Sequence, residues 1–232
     1  MTSASTTYQE NPGASSKMLI AMVGIGVLCA LLIVLTYEGT LPAIKRNKAA
    51  ALEQAIFKVL PGISYKRSFE WTADQGFREL QGAESEGPVV HAGYNQEDQM
   101  LGLAVEASGI GFADVLRILY GYDPQSETIV GFYVLESKET PGLGDKIEKD
   151  DAFLANFKAL DVKLNSDKKT LVNPVVPVKN GAKTQNWEVD GITGATISSR
   201  AIGNILGAST AEWLPRLQQQ LNSFTEKKMA NE

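Results

Sequence analysis

The chain is 232 residues long, enough for one domain with a sizeable core, and its 27 acidic against 22 basic residues give a formal charge of −5. A mildly acidic chain without a basic stripe argues against nucleic-acid binding. With a single histidine, His91, and a single cysteine, Cys29, no CxxC, CxxCH or His/Cys cluster can be assembled, which argues against iron–sulfur, c-type haem and structural zinc centres and rules out an internal disulfide, so any redox chemistry would need a bound organic cofactor.

In chain order, residues 1–17 are rich in Ser, Thr, Ala, Asn and Gly and predict a short disordered tail. Residues 18–37, MLIAMVGIGVLCALLIVLTY, carry no charge and are long enough to cross about 30 Å of hydrocarbon as a helix. Lys17 and Glu38 bracket the run, Tyr37 suits the interface, and no small-x-small cleavage site clearly follows. The segment therefore predicts a retained transmembrane anchor, with Cys29 in mid-span as a small apolar residue. Orientation is ambiguous by charge, because Lys17 on one side is weighed against the more distant Lys45, Arg46 and Lys48 on the other.

Residues 38–232 predict a single domain. An amphipathic helix over 42–60 presents Ile44, Leu52, Ile56, Val59 and Leu60 at helical spacing and ends at Pro61-Gly62. Strand-like runs follow at 68–72, 89–93, 100–107, 115–122 and 128–135, separated by turn residues such as Asp123-Pro124. His91 lies in the apolar run Val89-Val90-His91-Ala92 and reads as a core or surface histidine. A helix over 149–160 would start near Asp150 or Asp151. Trp187-Glu188-Val189 predicts a short strand, and a helix over 198–214 would end or kink at Pro215, with 216–224 as a last amphipathic piece. The fold class is α+β, mostly antiparallel, behind one N-terminal transmembrane helix.

Two segments could build a site. Residues 190–196 read Asp190-Gly191-Ile192-Thr193-Gly194-Ala195-Thr196, just ahead of the last long helix, with Ser198 two residues on. A hydroxyl at a tight turn before a helix N-terminus favours an anion, because free N–H groups and the positive end of the dipole meet there. Asp190 could fix the turn by side-chain to backbone hydrogen bonds. An ordinary strand–turn–helix, with Thr196 or Ser198 as N-cap, fits the local pattern equally. The second segment, residues 139–144, reads Glu139-Thr140-Pro141-Gly142-Leu143-Gly144 after the strand at 128–135. Its glycines allow backbone N–H groups to point at a planar ring and Leu143 to pack on it, although a plain surface loop would look the same. Ser108-Gly109-Ile110-Gly111-Phe112 is a weaker candidate, since a lone GxG is common.

Together the Asp-x-x-Thr-Gly-Ala-Thr turn, the Glu-Thr-Pro-Gly-Leu-Gly loop and the anchor resemble the bacterial FMN-binding domain family that carries flavin covalently. That family includes the G subunit of Rnf electron-transport complexes and, as a poorer match, the C subunit of the sodium-pumping NADH:quinone oxidoreductase. The resemblance implies FMN in phosphoester linkage to Thr196, installed from FAD by a separate flavin transferase. The turn (Asp190, Thr193, Gly194, Ala195, Ser198) and the loop (Glu139, Thr140, Pro141, Gly142, Leu143, Gly144) would line the cofactor. It further implies an electron-transfer subunit of an ion-translocating ferredoxin:NAD oxidoreductase. Such a subunit would have no independent active site, would bind lipid membrane and other membrane and peripheral subunits, and would face the periplasmic side of a bacterial inner membrane. The equivalent subunit of the sodium-pumping enzyme and a cofactor-free, membrane-anchored interaction module are the alternatives. No dinucleotide-binding glycine pattern, metal site or general acid–base residue is expected.

Overall fold

The computed structural model describes residues 12–225 apart from 81, 83, 84 and 86. Its contacts divide the chain into two units, residues 1–50 and 51–232. The described residues of the first unit lie within the helix α1 (Pro12–Val59), whose last turns belong to the second. Residues 12–17 are thus helical, and the remainder of the expected tail lies outside the described residues. The most apolar part of α1 has a mean hydropathy of 3.0 and is long enough to cross a membrane. Its polar side chains are satisfied within the helix itself: Thr36 and Thr40 donate to the carbonyls of Leu32 and Thr36 at 2.7 and 2.8 Å. The expected separate helix over 42–60 is instead continuous with the anchor, and Pro42 lies inside it.

The second unit is built on a seven-stranded sheet. Its strands are β1 (Tyr65–Thr72), β2 (Gly76–Glu79), β3 (Val89–Tyr94), β4 (Met100–Ile110), β5 (Val115–Asp123), β6 (Thr128–Glu136) and β7 (Leu160–Asp161), in the order β2-β1-β3-β4-β5-β6-β7. Every pairing in it is antiparallel, as the short connections between successive long strands from β3 to β6 require. Two further strands, β8 (Val176–Val178) and β9 (Glu188–Asp190), pair in parallel. The short hairpin strand β2, β7 and β8 escape the sequence patterns because each has too few residues to show a period.

Alternation along β5 assigns its two faces. Leu116, Ile118, Tyr120 and Tyr122 point into the main core with Ile202, Ile205 and Leu206 of α3 (Thr196–Gln219). Leu119 points to the opposite face, where Ala55, Ile56, Val59 and Leu60 cover it. Full burial of each large side chain here is worth roughly 1.5–3 kcal/mol. The end of α1 comes down on a glycine pair: Gly121 and Gly131 are partners across β5 and β6, and a Cβ on Gly121 would lie 2.8 Å from the Val59 carbonyl carbon. Only a strand lacking side chains there lets the helix backbone reach the sheet.

Two expected helices differ from those observed. The helix expected over 149–160 is only the short α2 (Asp151–Ala155), preceded by a 3-10 turn (Gly144–Glu148). Asp150 caps α2 by accepting from the Phe153 amide at 2.9 Å. Asn156 then donates to the carbonyls of Phe153 and Asp190, at 3.0 and 3.2 Å, which takes the chain out of the helix and ties it to β9. Pro215, in contrast, neither ends nor splits α3, which runs on to Gln219 before a last turn, α4 (Asn222–Thr225). Pro215 is buried and packs among core residues, while Ala211, whose carbonyl loses its donor, is exposed to water.

Candidate functional site

The site grows from the end of β9. Asp190 is fixed by backbone contacts to Asn156, whose Oδ1 accepts from its amide at 3.1 Å. The next amide, of Gly191, donates to Val178 of β8 at 3.1 Å. The chain then reverses: the Ala195 amide donates to the Ile192 carbonyl at 3.1 Å, and Gly194 takes φ +85°, a left-handed conformation that glycine adopts without steric cost. Ser199, a buried residue that the sequence pattern did not single out, closes the turn by accepting from the Ile192 amide at 3.1 Å. Asp190 does not do this; its Oδ2 accepts from Gly181 at 3.0 Å, and its buried Oδ1 has no partner among the described residues.

α3 starts at Thr196, with Ala195 as N-cap and no side-chain capping bond. Neither Thr196 nor Ser198 is therefore the cap. Thr196 is the first helical residue and is exposed, and its hydroxyl makes only a long contact, 3.4 Å, to the Ile192 carbonyl. The first-turn amides have no acceptor inside the helix. An available hydroxyl thus stands beside free N–H donors at the positive end of a long helix.

The glycine loop reaches this turn through Glu139. Its carboxylate, only 6% exposed, accepts from the amides of Phe112 and Ala113 at 2.8 and 3.1 Å and from the Ser198 hydroxyl at 2.5 Å. One buried side chain therefore joins the loop after β6, the turn between β4 and β5, and the first turn of α3. Gly144 is packed so closely on this tie that a Cβ there would sit 2.8 Å from Glu139 Cβ and 2.9 Å from Ser198 Oγ. Between these elements lies a cleft of about 300 Å³, bounded by Glu139, Thr140, Leu143 and Gly144, by Phe112, and by residues 194–198. That volume is at the small end of ligand sites. Leu143, Phe112 and Ile197 hold large apolar surfaces exposed at its mouth.

Of the residues the sequence singled out, Glu139, Thr140, Leu143, Gly144, Gly194, Ala195, Thr196 and Ser198 meet in one cleft. Asp190, Thr193, Pro141 and Gly142 do not line it; Thr193, Pro141 and Gly142 are exposed, and Gly142 serves the loop's turn with φ +79°. Phe112 lines it although its GxG segment reads as a plain turn. Its signal in the sequence is an aromatic residue held out just beyond a strand end. Flat apolar walls at one end and free amides with a hydroxyl at the other suit a ligand with a planar body and an anionic tail. His91 lies elsewhere, on β3: its Nδ1 and Ser68 Oγ are 2.9 Å apart, and its Nε2 is buried without a partner among the described residues.

Comparison with known proteins converges on the same region. The FMN-binding domain family matches residues 111–209, a span that contains every segment of the cleft. The G subunit of an ion-translocating oxidoreductase complex from Methanosarcina acetivorans is 31% identical over 197 residues, covering 82% of this chain and 90% of the relative. The G subunit of such a complex from Shewanella piezotolerans is 24% identical over 208 residues, covering 89% and 92%. Among solved structures, the C subunit of the Na(+)-translocating NADH-quinone reductase from Parabacteroides distasonis aligns with a TM-score of 0.57 at 20% identity, over 81% of this chain and 98% of that one, so the two share a fold.

Proposed function

This chain belongs to the family of G subunits of ion-translocating oxidoreductase complexes, and on that premise we propose that it is a membrane-anchored flavoprotein relaying single electrons, with FMN held covalently by Thr196. The observation that carries the proposal is the meeting, in one cleft, of a first-turn threonine whose hydroxyl caps nothing with a glycine loop that is distant in sequence. When bound, FMN supplies one-electron redox chemistry that no side chain here offers.

The residues divide the work. The amides at the head of α3 would accept the phosphate charge, and Thr196 Oγ would carry the ester. Phe112, Leu143 and Ile197 would pack on the ring, and Glu139 would keep the walls in register while spending its own hydrogen bonds internally. Attachment would form the Thr196 Oγ–P bond and break one P–O bond of the FAD pyrophosphate. AMP would leave, and the hydroxyl proton would pass to solvent. A separate flavin transferase would catalyse that step. The partners would be the other subunits of an Rnf-type complex, and the domain would face the periplasmic side of a bacterial inner membrane, with α1 as its anchor.

The test is intact-protein mass together with in-gel flavin fluorescence after SDS denaturation, in a host that has the transferase. The expected mass exceeds the sequence by one FMN less water, on a fluorescent band. Thr196→Ala is expected to remove both signals while the domain still folds, and Thr193→Ala to reduce attachment less. An unmodified, dark band from wild-type protein would favour a cofactor-free interaction module, and loss of flavin from Thr193→Ala alone would move the attachment point.

A further inference from the structure

The head of α3 carries positive potential, and the one carboxylate that reaches it, Glu139, spends its hydrogen bonds on the Ser198 hydroxyl and on the amides of Phe112 and Ala113. The helix's first turn has no acidic residue, and its N-cap, Ala195, offers no side-chain acceptor. Lys146 adds a full charge at the same place. Its Nζ stands 3.5 Å from where a Cβ on Gly194 would sit, directly over the turn that precedes Thr196. The lysine is half-buried and forms no ion pair among the described residues. The acids around it make other contacts: Asp145 pairs with Lys149 at 2.6 Å, Asp150 caps α2, and one oxygen of Asp190 accepts from Gly181.

The root of this side chain is fixed. The Lys146 amide donates to Leu143 at 3.3 Å, and its carbonyl accepts from the amides of Lys149 and Asp150 at 3.1 and 2.9 Å. Ile147, next in sequence, is completely buried. A cation held in place at the positive end of a 24-residue helix is unfavourable unless an anion joins it. Gly194 is required for its φ, and the ammonium lies within ordinary contact distance of the turn it makes.

We propose that Lys146 is the counter-ion of the phosphoester on Thr196, so that the glycine loop contributes charge to the phosphate end of the cleft as well as packing to its ring end. This deepens the flavin assignment and rests on it. Acting alone, the amides of α3 would share the ester's charge with water. With Lys146 the ester would sit between a dipole and a full cation, a charge-assisted contact of about twice the strength of a neutral hydrogen bond.

The experiment compares thermal midpoints of the full chain in detergent for wild type, Lys146→Met and Lys146→Arg. Each is made in a host with the transferase, and again in one without it. In the flavin-bearing form, Lys146→Met is expected to lower the midpoint by about 3 °C or more, the shift one charge-assisted contact gives at this chain length. The difference should shrink in about 1 M salt, where exposed charges are screened within about 3 Å, and Lys146→Arg should restore it. In the unmodified form, Lys146→Met should leave the midpoint unchanged or raise it, because a cation without a counter-ion has been removed. Equal shifts in both forms, or none in the flavin-bearing form, would overturn the inference. If Lys146→Met takes up no flavin while Lys146→Arg does, the charge is needed for attachment itself and the inference stands. If neither variant takes up flavin, a positive charge at this position does not suffice and the inference falls. Wild-type protein of bare sequence mass would instead refute the flavin assignment.

Discussion

Glu139 gives the sharpest test of how the cleft is held together. Replacing it with Gln keeps the shape. The amide oxygen can still accept from the Phe112 and Ala113 amides, and the NH2 group can donate to Ser198 Oγ, but three charge-assisted bonds become neutral ones. At about 1 kcal/mol for a neutral bond against about 1.5–3 for a charged one, the loss is about 0.5–2 kcal/mol per bond, and so at least about 1.5 kcal/mol over the three. Glu139→Ala removes the acceptors altogether and leaves a gap. Phe112 and Ala113 lie at the surface, so water can reach their amides and limit the cost to about 2–4 kcal/mol. Denaturant unfolding of the full chain in detergent measures both. A double-mutant cycle of Glu139→Gln with Ser198→Ala is expected to show coupling of about 1 kcal/mol, because the two side chains touch at 2.5 Å. Flavin uptake should fall in the order wild type, Gln, Ala. If Glu139→Ala costs less than about 0.5 kcal/mol, within the range of ordinary surface changes, the carboxylate does not join the three walls and this account of the cleft is wrong.

Two further predictions concern the framework. Burial holds His91 well below its ordinary value, to about 4, with Lys66 adding to the effect. The unfolded chain therefore binds the extra proton first, and the stabilisation is complete above pH 6.5 and lost as pH falls towards 4. At about 1.4 kcal/mol per unit the full loss is roughly 3 kcal/mol, and His91→Gln should flatten unfolding midpoints across that window; an unchanged slope would mean the histidine is solvated. Gly121→Val should destabilise the domain by about 3 kcal/mol or more, because the new Cβ meets the Val59 carbonyl, a backbone group with no rotamer to escape into. A midpoint within about 2 °C of wild type would show that the end of α1 is not seated on the sheet.

Several features were legible in the sequence because they are written in local periods. The uncharged run in α1, the strand-like runs of β4, β5 and β6 between turn residues, and the turn chemistry of Pro141-Gly142 and Gly194 all depend on residues close in sequence. The motif at 190–196 marked a hydroxyl ahead of a helix, and the helix begins at that threonine. The local pattern was also misleading where distant contacts decide the outcome. Asn156 ends a helix by reaching β9, and Pro215 is tolerated because its ring is buried while the freed carbonyl of Ala211 is in an exposed stretch.

The sequence by itself determined the apolar anchor, the long strands and the start of the last long helix, and which residue types stand at the two candidate loops, because propensity, turn chemistry and periodicity act over a few residues. Only the tertiary structure decided that Glu139 joins Ser198 and the Phe112 turn, that Ser199 rather than Asp190 closes the Thr193-Gly194 turn, and that Lys146 overhangs it. Those pairings bring together groups far apart along the chain, and their energies exist only after the sheet and α3 have met the entropy cost of closing the loops between them.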